Sequence, residues 1–196
     1  RKKRLMAFDI VTPPTEDALS LTEIKEFLRL DSSDTSEDTT LGVFRSAALS
    51  MAQEFCRRLF CTTVIDEYFD SAPAFDGVTD RAMIYLSRGP VTSVTSVKYI
   101  DELGDEITVS TSDYTVDTIS EPARIMATDG WFDAKTTINA VIIRYTVGTA
   151  ASAVGAPLKQ AMLLMISDMY EKRENSVHRM PTASEYLMNP FRLFRF

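Results

Sequence analysis

Residues 156–174, APLKQAMLLMISDMYEKRE, decide how this chain folds, and residues 189–196, NPFRLFRF, close it. Pro157 suits a first helical turn, where its missing N–H costs nothing. From Ala161 to Ile166 the run is apolar on every side, so the helix is expected inside a bundle rather than on a surface. A polar turn follows, holding His178, the chain's one histidine. The tail behind it alternates large apolar and cationic residues: Phe191, Arg192, Leu193, Phe194, Arg195, Phe196. A chain end is ordinarily polar and frayed. Each ring fully buried is worth about 1.5–3 kcal/mol. The tail therefore wants a place on its own domain or a socket on another protein, with Arg192 and Arg195 at the rim to meet carboxylates.

The helix needs partners, and the N-terminal third supplies them. Ser20 and Glu23 have capping-box spacing, opening a short helix whose apolar face is Leu21, Ile24, Phe27 and Leu28. A second helix is expected over residues 38–59. Its apolar positions Leu41, Phe44, Ala48, Met51, Phe55 and Leu59 recur every three or four residues, forming an inter-helix seam towards the first helix and the late one. Ahead of these, residues 1–20 read as an extended arm, with Pro13–Pro14 blocking helix. The acidic stretch 31–39, DSSDTSEDT, lacks the central glycine and closing glutamate of a calcium loop and is expected to be a solvated loop capping the next helix.

Between the helical parts the pattern changes. Residues 62–69, 83–87, 91–100, 106–110, 113–117 and 123–127 are short β-branched or aromatic runs. Val141, Ile143, Tyr145 and Val147 alternate cleanly with Ile142, Arg144 and Thr146. Asp101 to Asp105, containing Gly104, reads as a hairpin loop. The expected fold class is α+β: a helical bundle formed by N- and C-terminal helices, with an inserted β-rich module, sandwich- or barrel-like, of about six short strands. The expected division is an arm at 1–20, bundle at 21–60, β module at 61–150, closing helix at 151–180 and tail at 181–196.

Charge and composition exclude several functions. The net charge is −7, but residues 1–4 carry +4 and residues 172–196 carry +3, leaving 5–171 at −14. An acidic body repels phosphates, which argues against a sequence-reading DNA binder yet permits a surface that DNA slides past. No apolar run approaches the roughly 18–20 residues of a membrane span, and no secretory signal is expected behind the basic residues 1–4. Cys56 and Cys61 are expected to be buried free thiols. One histidine and two cysteines cannot build a zinc site of ordinary spacing. The seven scattered glycines form no phosphate loop, and no pair of carboxylates is singled out by its spacing. No catalytic, metal or cofactor site is expected.

Taken together, TPPTEDALSLTEIKEFLRLD (12–31), RGPVTSVTSVKYID (88–101), DYTVDTISEPARI (113–125) followed by Gly130–Trp131, VIIRYTVG (141–148), the late helix and the apolar-basic tail resemble one family. It is the head–tail connector, adaptor or head-completion, proteins of tailed bacteriophages and gene transfer agents. The resemblance covers residues 11–196; the stretch 148–156 and the Met-rich helix depart from it in detail, and residues 1–4 lie outside it. It implies a structural, non-enzymatic part that forms a ring, generally of about twelve copies, beneath the portal. Such a ring extends the DNA channel without sequence-specific binding and receives a stopper or the tail. The implied partners are the portal protein, neighbouring copies and the next connector, and no membrane. The implied location is the virion neck, after assembly in the host cytoplasm. The C-terminal segment of relatives reaches into the portal; carried onto this chain, that is Asn189 to Phe196. The alternative is a soluble interaction module whose C-terminal peptide binds another virion-assembly partner.

Overall fold

The computed structural model describes residues 7–71, 83–172 and 182–193. The fold is α+β and divides into two compact units. Among the described residues, 7–14 and 62–148 form a β unit, and 15–61 with 149–193 form a helical unit. His178, residues 1–4, the end of the late helix at Glu174 and the last three tail residues fall outside the described residues.

The β unit contains two antiparallel sheets. The larger runs in the order β1-β2-β8-β4-β5, with β1 at Ala7–Thr12, β2 at Thr63–Phe69, β4 at Val91–Ile100, β5 at Glu106–Thr108 and β8 at Val141–Val147. The smaller has the order β3-β7-β6, from Met83–Tyr85, Arg124–Ala127 and Tyr114–Asp117. β8 buries Val141, Ile143, Tyr145 and Val147 on one face, as its alternation requires. β2 lies beside it in unbroken register from Thr63↔Val147 to Phe69↔Val141. On the other face Arg144 clasps the cross-strand Asp66 through two bonds of 2.8 and 2.7 Å. Both edges of the large sheet are open, so the barrel alternative does not hold.

The N-terminal arm is the largest departure from expectation. Its residues Ala7–Thr12 are not free but pair with β2, Ala7 opposite Tyr68 and Ile10 opposite Ile65. The pairing joins residues more than fifty positions apart, beyond the reach of any local pattern. Counting β1, the described residues hold eight strands rather than about six.

The helical unit is built from α1 (Leu21–Leu28), α2 (Asp38–Cys56), α3 (Ala156–Lys172) and α4 (Thr182–Met188). The capping box is present: Ser20 Oγ accepts from Glu23 N at 3.1 Å, and Ser20 N donates to Glu23 at 2.7 Å. Glu23 also receives Lys159 Nζ at 2.7 Å, tying the start of α1 to α3. The core joins Ile24, Leu41, Ala48 and Ala52 to Ala161, Met162, Met165 and Ile166 of α3. α4 had been hidden in what the sequence suggests is a polar turn and tail. Its Met188 is fully buried, and Ser184 Oγ donates to the Ala161 carbonyl at 3.0 Å.

Candidate functional site

The seam of α2 differs from the expected one in a way that reveals how it packs. Leu41 and Ala48 are buried, Phe44 and Phe55 lie half-buried against the core, and Leu59 is buried beyond the helix end. Met51 is 39% exposed. The inward line is Leu41, Ala48, Ala52 and Cys56. Small side chains let α3, with its bulky Met162 and Met165, come close; the three- and four-residue recurrence that includes Phe44, Met51 and Phe55 follows a neighbouring line instead. The signal that could have found it is the run Ala48, Ala52 and Cys56 at four-residue steps.

The C-terminal segment then uses the end of that line. A helix leaves its last carbonyls without intrahelical partners. Here the Cys56 carbonyl accepts Leu193 N at 2.9 Å, and the Cys56 thiol faces the Met188 carbonyl at 3.8 Å. Arg58 Nε donates to the Phe191 carbonyl. The Arg192 guanidinium lies 5.2 Å from the centroid of the Phe55 ring, a cation–π contact. Phe191 packs half-buried on the core and Leu193 is buried. So the first half of the expected portal-docking tail, Phe191 to Leu193, is folded onto its own bundle. These three residues are held there because the end of α2 offers Leu193 both an apolar seat and an orphan carbonyl. Phe194, Arg195 and Phe196 lie outside the described residues.

The acidic loop before α2 is built around a cation of its own. Lys25 is 5% exposed, and its Nζ donates to the Asp34 carbonyl at 2.6 Å and the Ser32 carbonyl at 3.4 Å. It also stands 2.6 Å from Asp38 Oδ1. An ammonium thus occupies the middle of the loop. Asp31 and Asp34 accept from Ser33 and Ser36 instead, and these bonds hold both carboxyls below their ordinary range. Contrary to expectation, the loop gives α2 no side-chain cap: Glu37 stands at the N-cap without such a bond.

Nothing in these sites has the disposition of reacting groups. Both cysteines are buried thiols outside any disulfide, and burial pushes the Cys56 thiol up to about 11, leaving it un-ionised at neutral pH. Burial raises Cys61 in the same direction. Glu67 in the β unit is fully buried; its Oε2 accepts from Tyr145 Oη at 2.6 Å and from Ser87 N at 3.1 Å. Tyr145 is sealed too, so no substrate reaches the pair. The pair instead clamps the chain where it crosses from β3 in the small sheet to β4 in the large one. Among the described residues no three His, Cys, Asp or Glu side chains are grouped to hold a metal ion. Nor is any described helix long and apolar enough to cross a membrane.

No protein-family model and no curated protein matches the chain. Solved structures do. The chain is similar to a protein in the neck of an empty gene transfer agent particle, computed with C6 symmetry, at 24% identity and a TM-score of 0.77, covering 97% of both chains. It is similar to one in the virion of a native gene transfer agent particle, at 24% identity and a TM-score of 0.78 over 96% of both chains. A third likeness, to the neck of a native particle computed with C12 symmetry, has 22% identity and a TM-score of 0.73 over 97% of both. The chain therefore shares its fold, over nearly its whole length, with proteins of gene transfer agent particles and their necks.

Proposed function

We propose that the chain is a structural head–tail connector, an adaptor rather than an enzyme. It assembles as a ring beneath the portal of a virion, in twelve copies on the family pattern, after synthesis in the host cytoplasm. The ring extends the DNA channel and forms the platform for a stopper or the tail. The observation that carries this reading is the fold likeness over 97% of both chains to a protein in the neck of a gene transfer agent particle. The acidic body supports it, since a wall carrying −14 over residues 5–171 does not hold passing DNA.

The portal contact falls to Phe194, Arg195 and Phe196. Phe191 to Leu193 anchor the segment to the bundle. Deleting Phe194 to Phe196 should leave a folded chain that no longer binds portal rings in sedimentation. Deleting Pro190 to Phe196 should also lower the melting temperature, because Leu193 then no longer caps α2. Portal binding that survives the shorter deletion would move the contact elsewhere.

A further inference from the structure

Three aliphatic side chains of the β unit stand almost wholly in solvent: Leu103 at 88%, Ile119 at 95% and Ile138 at 79%. Exposed aliphatics scattered singly need no explanation, but these sit on loops whose backbone is locked. Leu103 tops the β4–β5 hairpin, where Asp101 Oδ1 accepts from Gly104 N at 2.8 Å and Asp105 N at 2.9 Å. Ile138 precedes Asn139, whose N–H donates to Asp70 Oδ1 at the end of β2, at 3.1 Å.

Leu103 and Ile138 also share one support. Ile100, the last residue of β4, donates its N–H to the Ala140 carbonyl at 2.8 Å and accepts Lys135 N at 2.9 Å. The loop carrying Ile138 is thus fastened to the residue from which the Leu103 hairpin departs. Farther along that loop, Phe132 stacks on Tyr99 with centroids 4.0 Å apart, and Trp131 meets Phe132 edge-on at 5.5 Å. Ile119 stands apart. Its turn leads to Ala123, whose carbonyl accepts Leu86 N in the crossover to the other end of β4.

The exposed charges of these two loops are Glu102, Asp105, Asp129 and Asp133, with Lys135 the single cation. We propose that Leu103 and Ile138 form a preorganised docking tip for a protein that presents apolar sockets within a basic rim. A second copy meeting it tip to tip is excluded, because that contact would set carboxylate against carboxylate. Loops already locked in place spare the partner the cost of ordering them. The tip lies at the Ile100 end of the large sheet, opposite Thr12, Thr63 and Val147, where the chain enters and leaves the unit. The partner's identity rests on the neck reading: it is the component that follows this ring towards the tail.

The test uses complete particles assembled with wild-type chain, with Leu103→Ser plus Ile138→Ser, and with Ile119→Ser. The double variant should keep its melting temperature and its copy number on DNA-filled heads. Joining of heads to tails should fall at least tenfold, and Glu102→Lys plus Asp105→Lys should fall likewise. Ile119→Ser should join normally. Normal joining by the double variant would overturn the tip. So would its loss from heads, since the tip would then hold the ring and not the next component. Wild-type chain absent from purified necks would overturn the neck reading itself, and with it the partner named here.

Discussion

Glu67 carries its carboxyl in a place where charge is expensive. It is fully buried, its Oε1 has no hydrogen-bond partner, and burial raises its pKa above the ordinary carboxylate value. A raised folded-state value means the protonated form favours folding. Its contribution is complete below the unfolded value and is lost as pH rises through the folded one. Glu23 works in the opposite sense. Its bonds with Lys159 and Ser20 lower its pKa, so its contribution is present at neutral pH and fades as pH falls through the folded value. Thermal melts of wild type and Glu67→Gln from about pH 4 to about pH 8 should separate the two. The variant should gain on wild type as pH rises, and the gap should close towards acid; parallel curves would count against a charge at Glu67. Lys25 is the second residue on which much depends. Replacing it by Met leaves Asp38 and two carbonyls facing no cation, at a cost of about 3–5 kcal/mol in chemical denaturation. Added calcium would not recover stability in the wild-type chain, because the ammonium already fills the loop.

Elements are where the order of packing can be tested. If small residues of α2 admit α3, then Ala52→Leu should cost about 1–3 kcal/mol through overpacking. Met51→Lys should change stability by less than about 0.5 kcal/mol. The reverse order would restore the seam suggested by the three- and four-residue recurrence. Leu193→Ala should cost about 2–4 kcal/mol, reporting that the C-terminal segment belongs to the bundle. Local chemistry was legible in the sequence: the capping box at Ser20 and Glu23, the Asp101 hairpin and the alternation of β8 are all visible within a few residues. The capped helix, the strands of the β unit and the buried late helix follow from those patterns. β1 was not legible, because six residues ahead of Pro13–Pro14 become a strand only through a partner that lies far along the chain. Its edge is blunted by Asp9, whose Oδ1 accepts Ile10 N at 2.9 Å, and by a bulge before Thr12. α4 escaped for a related reason. Seven residues carry too little periodicity, and their burial depends on Ala161 and Cys56 from two other helices. The same dependence explains why half of the tail, judged by composition alone, looked available for a partner.

At the scale of the whole molecule, the helical unit anchors the C-terminal segment as far as Leu193, and the β unit carries a locked, acidic-rimmed tip. No strong self-contact is needed before assembly: the body is acidic, and copies repel at low salt. In isolation the chain should therefore run as a monomer in size-exclusion chromatography and gather into a ring only when portal is added. The portal docking of the last three residues and the tip at Leu103 and Ile138 are separable parts of that scheme. The fold likeness over most of the chain gives the scheme its frame, and one measurement bears on it most directly. Electron microscopy of the chain mixed with its portal should show a ring of this chain coaxial with the portal, with Leu103 turned away from the portal. Single copies bound to the portal without a ring, or no density beneath it, would contradict the account.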